Sequence, residues 1–444
     1  PEAAARLRGR AATMTAGPNR LPRRRLSPRR PDCFRSLRGL LAVAIVAAPG
    51  VAALPAQQPE PGRLLEAIVS MARTSSVVGR EKQAAEHVRA LLAGLDVRTD
   101  ALGSVTVEFG SGSPRLLLAV PLDEPGYVVT RIQDDGFVRL TPVGQGYRGA
   151  LAHQYLEGNE ISVITAAGRV PGAVGVPSAH LTSFTKDRVS EWVPFAWQDA
   201  YVDVGADSAG EAAALGVRPM DTLTLIKRPT VLHGQKVAAP SVQVKAAAVA
   251  LAEAAHRIAV DSAVGTVVLA WTTLGLINGR GLEAVVRANG PFDEAYVFSR
   301  NFGWGFEERT FVVPPSPAPG AGVLSAAPLA GATEAPHLQM FRGAMSGGVW
   351  AEAEVHYVGL PTRYQDTPVE TVDAGDVAAL ADLYAAVAGA DAPPVELPVV
   401  RVASAAVLDD DRPFAELSLT LGSLVARYGV SGNEAAVRAP IESL

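Results

Sequence analysis

The run Leu116-Leu-Leu-Ala-Val120 is the feature that most limits what this chain can become. Five consecutive apolar residues cannot alternate between a wet and a dry face, so the segment reads as a strand buried on both sides, at the centre of a sheet. Such a sheet needs helices on both faces, and the sequence around it supplies them. Arg63 to Ala72 carries Leu64, Ile68, Met71 and Ala72 at helical spacing, Gly79 to Leu92 repeats that pattern, and an Ala-rich helix runs from Val242 to Val260. Strands are expected at 97–99, 104–108 and 266–271, and helix and strand alternate to about Ala388.

Between about Tyr127 and Arg228 the pattern changes to short strands broken by Gly and Pro, such as Gly136-Phe-Val-Arg-Leu140 and Glu160-Ile-Ser-Val-Ile164. The expected organisation is an α/β domain over 57–126 and 229–388, with a small β domain, 127–228, inserted into it. A Pro-rich stretch then opens a linker, 389–412. Beyond it, a shift of 353 residues sets Gly432 on Gly79, Glu434 on Glu81, Leu421 on Ile68 and Leu424 on Met71. Residues 413–444 are therefore expected to begin a second copy of the domain, cut short at Leu444.

The first methionine is Met14, and residues before it are set aside as preceding the start. From Arg20 to Arg38 the chain is rich in Arg, then apolar from Gly39 to Ala53, then rich in Gln and Pro. That order reads as a secretory signal peptide within 1–56, cleaved near Ala53 or Ala56, and implies an exported, periplasmic or extracellular protein. The apolar run falls short of the ~20 residues a spanning helix needs, so no membrane partner is expected after its removal. Cys33, the one cysteine, lies in this leader, which excludes a disulfide framework or thiolate metal site in the remainder. Eleven arginines against Glu2 and Asp32 give the leader +9, and with −5 for the whole chain residues 57–444 carry −14. An acidic body argues against nucleic acid as a partner.

Leu118-Ala-Val-Pro-Leu-Asp-Glu-Pro-Gly-Tyr-Val-Val129, followed by Asp134-Asp-Gly-Phe-Val-Arg-Leu-Thr-Pro-Val-Gly144, resembles the tetrahedral or glutamyl aminopeptidase family, co-catalytic zinc peptidases whose strand ends in His-x-Asp-Glu-x-Gly. Gly175-Val-Pro-Ser-Ala-His180, Val202-Asp-Val-Gly205, Ala214-Leu-Gly-Val-Arg-Pro-Met-Asp221 and Pro361-Thr-Arg-Tyr-Gln-Asp-Thr-Pro-Val-Glu370 follow in the family's order. The resemblance covers about 63–388 and implies a three-layer α/β sandwich of the phosphorylase/hydrolase kind with an inserted, PDZ-like β-barrel. It also implies two metal ions at the carboxyl ends of the strands, activating a bridging water.

Four of the five implied ligand places lack an imidazole or carboxylate, and at the fifth, Asp366, which could still ligate, the type has changed. The first His falls on Pro121, the bridging Asp on about Ser241, the Glu-Glu pair on about Gly275 and Leu276, the next Asp on about Ser299 and the last His on Asp366. Proline, glycine and leucine side chains offer no lone pair, and a serine hydroxyl is a poor substitute for carboxylate. The resemblance thus implies a degenerate copy in which Asp123 and Glu124 are vestigial catalytic residues, with Arg363, Asp366, Ser241 and Ser299 as cleft candidates. No metal or cofactor is expected, and zinc enters only if the site has been relocated. None of the seven His (His87, His153, His180, His233, His256, His337, His356) falls on a ligand position.

The same residues admit other chemistry. Ser241 and Lys245 are spaced as a Ser–Lys dyad, against the plainer reading of a helix-capping serine with a solvated lysine. Asp123, Glu124 and Asp366 could pair as carboxylates for glycoside hydrolysis, unless Glu124, beside Pro125, points away from the cleft. Gly279-Arg-Gly281 reads as a plain turn. The expected function is a catalytically silent peptidase-like domain serving as scaffold, peptide-binding or assembly module, with a homo-oligomer as a further expectation. The alternative is an exported metallo-aminopeptidase or other hydrolase with a relocated site.

Overall fold

A computed structural model of the chain describes residues 62–144, 150–176, 195–261, 263–300, 311–313, 353–401, 415–427 and 435–442. The leader, His180 and His337 lie outside them. Helices α1 (Arg63–Ala72) and α2 (Lys82–Leu91) precede the strands β1 (Val97–Thr99), β2 (Val105–Gly110) and β3 (Arg115–Pro121). After the inserted barrel come α4 (Val242–Val260), β12 (Thr266–Thr272), α5 (Arg280–Asn289), β13 (Glu294–Phe298), β14 (Phe311–Val313), β15 (Glu354–Gly359) and α6 (Ala374–Val387). The main sheet has the order β1-β2-β12-β3-β13-β15-β14. Its central strands β12, β3, β13 and β15 are parallel, while β1, β2 and β14 run antiparallel at the edges.

Strand β3 is buried along Leu116 to Val120, and its side chains divide by parity. Leu116, Leu118 and Val120 join Leu269 and Trp271 under α1, α2, α4 and α6, while Leu117 and Ala119 join Val268 and Ala270 against Leu282 and Val286 of α5. Helix, sheet and helix form the three layers. Nearly every residue of α4 is buried, and its alanines let it lie close to the sheet, where Trp271 Nε1 donates to the Ala248 carbonyl at 2.9 Å.

The barrel closes in the order β4-β5-β8-β7-β6-β9, from β4 (Gly126–Ile132), β5 (Val138–Val143), β6 (Glu160–Thr165), β7 (Gly168–Val174), β8 (Val202–Asp203) and β9 (Thr222–Leu225), with the short α3 (Ala209–Ala214) beside it. It has a core of its own, built on Tyr127, Val129, Val138, Ile161, Val163 and Leu223. A three-stranded sheet of β10 (Thr230–Leu232), β11 (Lys236–Ala238) and β16 (Thr371–Asp373) carries the chain back to the sandwich.

The Pro-rich stretch, expected as a linker, lies over 389–401 as an extended strap against the sandwich. Leu397 is buried, Arg257 Nε donates to the Ala392 carbonyl at 2.7 Å, and Val395 N donates to Glu253 Oε1 at 3.1 Å. Helices α7 (Ala415–Val425) and α8 (Ala435–Glu442) follow. No helix among the described residues is long and apolar enough to cross a membrane.

Candidate functional site

The carboxyl ends of parallel strands are where an α/β sheet leaves a crevice, because the connections there diverge. Strand β3 delivers Asp123 and Glu124 to that edge, and both are fully buried. The segment after α1 lies alongside: Glu124 N donates to the Ser76 carbonyl at 2.9 Å, Ser76 N donates to Glu124 Oε1 at 2.9 Å, and Ser76 Oγ donates to the Leu122 carbonyl at 2.7 Å. The Glu124 side chain is turned into the protein interior. Its Oε2 accepts from Lys227 Nζ at 2.7 Å and stands 3.9 Å from Lys245 Nζ.

Lys245 corrects the expectation of a solvated lysine. It is completely buried on α4, and its ammonium donates to Ser76 Oγ, so it is Ser76 and not Ser241 that it meets. Ser241 precedes α4 in the left-handed region, φ 55°, and its hydroxyl makes no capping bond. The capping and the dyad readings of Ser241 both fail. Nor is Ser76 a poised nucleophile, since it is fully buried and its own proton is given to a carbonyl. Burial lowers Lys245 to about 8 against the pull of Glu124. Burial would raise Glu124, but Lys227 and Lys245 together outweigh it and hold its carboxyl below the ordinary value.

Asp123 accepts from Leu276 N at 2.7 Å and lies 3.4 Å from Arg300 Nη2. Both carboxylates are enclosed and engaged, which leaves no acid–base pair for a sugar. Ser299 N donates to the Val358 carbonyl at the end of β13. Arg363 is exposed and its backbone pairs with Thr371, so it stands at the rim. Asp366, exposed and at φ 59°, donates its N–H to Glu370 Oε1 at 2.9 Å. Glu370 is buried, accepts also from Gln243 N at 3.3 Å, and burial raises it to about 7.

The zinc ions implied by the family resemblance do not fit these residues. Pro121 and Leu276 bring hydrocarbon to the cleft, and a Cβ at Gly275 would stand 2.6 Å from Asp123 Oδ1, leaving no room for a carboxylate there. Among the described residues no group of three His, Cys, Asp or Glu side chains is placed to hold a metal ion. Four of the histidines lie in other surroundings: His256 Nε2 meets the Leu91 carbonyl at 2.8 Å, His153 meets Tyr127, His356 stacks on Tyr296, and burial first, then Lys245, lowers His87 to about 4. Gly279-Arg-Gly281 is the start of α5 and not a free turn, for a Cβ at 281 would strike the Thr273 carbonyl.

Sequence reasoning missed Ser76, Lys227, Arg300 and Glu370. For Lys245 there was a signal, since it is the lone charge in Val242 to Ala252, where an otherwise apolar helix face foretells burial.

Residues 103–289 match the family model described as M42 glutamyl aminopeptidase. The lysyl aminopeptidase of Pyrococcus furiosus is 31% identical over 163 residues, covering 37% of this chain and 45% of that protein. The glutamyl aminopeptidase of Lactococcus lactis is 26% identical over 166 residues, 36% of this chain and 44% of that protein. The chain thus spans a little under half the length of these two relatives. Among solved structures, the TET1 peptidase of Pyrococcus horikoshii, which can assemble into a tetrahedron or a large octahedral shell, gives a TM-score of 0.61 at 23% identity over 73% of this chain and 99% of that one. Aminopeptidase APDkam598 of the archaeon Desulfurococcus kamchatkensis gives 0.61 at 20% identity, over 73% and 94%. At that identity the structural likeness establishes the fold. The sequence match takes in β2, β3, the barrel, α4 and α5, and over those elements the chain is similar to the M42 glutamyl aminopeptidases.

Proposed function

We propose that this chain is an exported, aminopeptidase-like protein that does not run two-metal peptidase chemistry and serves as a peptide-binding and assembly module. The observation that carries the reading is the donor set around Asp123. Pro121, Ser241, Gly275, Leu276 and Ser299 stand where the resemblance calls for imidazole or carboxylate, and only Asp366 keeps a group able to ligate. Without paired ligands there is no metal-bound water to attack a peptide carbonyl.

Assembly into a homo-oligomer is part of this reading, and the likeness to a peptidase that can assemble into a tetrahedron or a large octahedral shell supports it. The arrangement of basic, apolar and small residues before Gln57 supports export. A tandem arrangement, in which a second and active copy accompanies this one, is supported by helix placement. Helices α7 and α8 start 352 and 353 residues after α1 and α2. Leu421 and Val425 are mostly exposed, whereas their counterparts Ile68 and Ala72 are buried under the sandwich.

Zinc content by mass spectrometry and hydrolysis of aminoacyl chromogenic substrates test the central claim. The expected result is substoichiometric zinc and no turnover. Stoichiometric zinc with turnover abolished by a chelator defeats it. Light scattering that returns a monomer removes the assembly role, and N-terminal sequencing of secreted protein is expected to begin just after Ala53 or Ala56.

A further inference from the structure

Asp123 and Glu124 are adjacent in sequence and both fully buried. An ionised carboxylate cannot be taken out of water without a counter-charge, so a cleft of this kind must bind a cation or carry one in its own chain. Among the described residues, three side-chain cations form ion pairs with these two carboxylates. Lys227 comes from the chain leaving the barrel, Lys245 from α4, and Arg300 from the end of β13. Lys245 is the telling one. It is the lone charged residue in the first three turns of a helix whose other positions there are packed into the core, and its full length is enclosed. A lysine buried in that way needs partners for its ammonium, and Ser76 Oγ and the Glu124 carboxylate are the ones it finds.

We propose that Lys245 is a resident cation: its ammonium supplies the charge that a metal ion would otherwise bring to this cleft, so that the buried carboxylates and the fold around them are held together without any bound metal. The inference rests on the reading above that the cleft does not fit zinc. It adds that the loss of ligands is compensated from within and that Lys245, with Lys227, is a positioning group for Glu124. Glu124 is thereby the point where barrel, helix and sheet are joined.

The experiment is thermal unfolding of the wild type, Lys245→Met, Glu124→Gln and the double variant, each with chelator and with added zinc. The wild-type midpoint is expected to be unmoved by either addition. Lys245→Met is expected to lose more than about 5 °C, because it strands a buried carboxylate. The double variant is expected to lose less than the two single variants together, since Lys245 and Glu124 answer one another. Single losses that simply add, or a Lys245→Met protein as stable as the wild type, overturn the role of the lysine. A wild-type midpoint that rises with zinc or falls with chelator overturns the metal-free reading beneath it, whatever the variants do. Should Lys245→Met not fold, amine labelling of the wild type decides. With acetic anhydride and peptide mapping, Lys82, whose side chain is 87% exposed, is expected to react while Lys245 stays unmodified until the protein is unfolded. Equal labelling of the two sinks the proposal.

Discussion

Glu370 takes its two hydrogen bonds from main-chain N–H groups, those of Asp366 and Gln243, while Arg300 acts on it only from a distance. Burial therefore prevails and lifts its carboxyl to about 7. Unfolded, the group titrates near the model-peptide value of about 4.3, so between that and about 7 the folded state binds the extra proton. Its contribution to stability is complete below that window and is lost as pH rises through it. Glu124 works in the opposite sense: its carboxyl is held low, and what it contributes is lost as pH falls. Urea titrations of the wild type and Glu370→Gln at pH 5 and 7.5 are expected to show a gap that changes by on the order of 3 kcal/mol, with the variant losing less stability as pH rises. A second residue-scale prediction concerns Gly275, whose Cβ direction runs into Asp123 Oδ1. Gly275→Glu, the change that would restore a donor, is expected to lower the unfolding free energy read by urea titration by about 1–3 kcal/mol because Leu276 N and Arg300 hold the Asp123 carboxyl in place. Asp123 and Glu124 were legible from one contiguous motif. The groups that answer them were not, beyond the signal for burial of Lys245, because Ser76, Lys227, Lys245 and Arg300 are far apart in sequence and only the sheet topology brings them to one edge.

Elements divide according to how local their causes are. The buried run of β3, the apolar stripe of α1 and the polyalanine face of α4 are written in residue order, and each forms where its period places it. The strap over 389–401 is the contrary case. Its Pro and Gly content reads as a spacer, yet what fixes it is Arg257 and Glu253, more than a hundred residues earlier on α4. Arg257 also reaches Asp382 Oδ1 at 2.6 Å on α6, so one guanidinium holds strap and helix together. Arg257→Ala is expected to cost about 1.5–3 kcal/mol and to raise amide exchange over 391–397 first, with β3 and β12 still protected. Unchanged exchange in the strap would mean that Leu397 packing alone retains it.

At the scale of the molecule, the sandwich and the barrel have separate apolar cores within one compact unit, and few chain crossings join them. One crossing enters at Gly126, two residues after Glu124, and the other leaves past Lys227, so the buried Lys227–Glu124 pair sits where both strands of the connection pass. Separate cores favour separate opening, whereas a buried ion pair at the seam favours opening together. Leu223 decides between them, because it is buried in the barrel core between β4 and β6 and touches neither sandwich core. Leu223→Ala is expected to cost about 2–5 kcal/mol within the barrel. Hydrogen exchange read by mass spectrometry is expected to accelerate through β4, β5 and β6 while β3 and β12 keep their protection. If β3 loses protection in step, the seam at Glu124 couples the two bodies into one cooperative fold, and disturbances in the barrel reach the cleft.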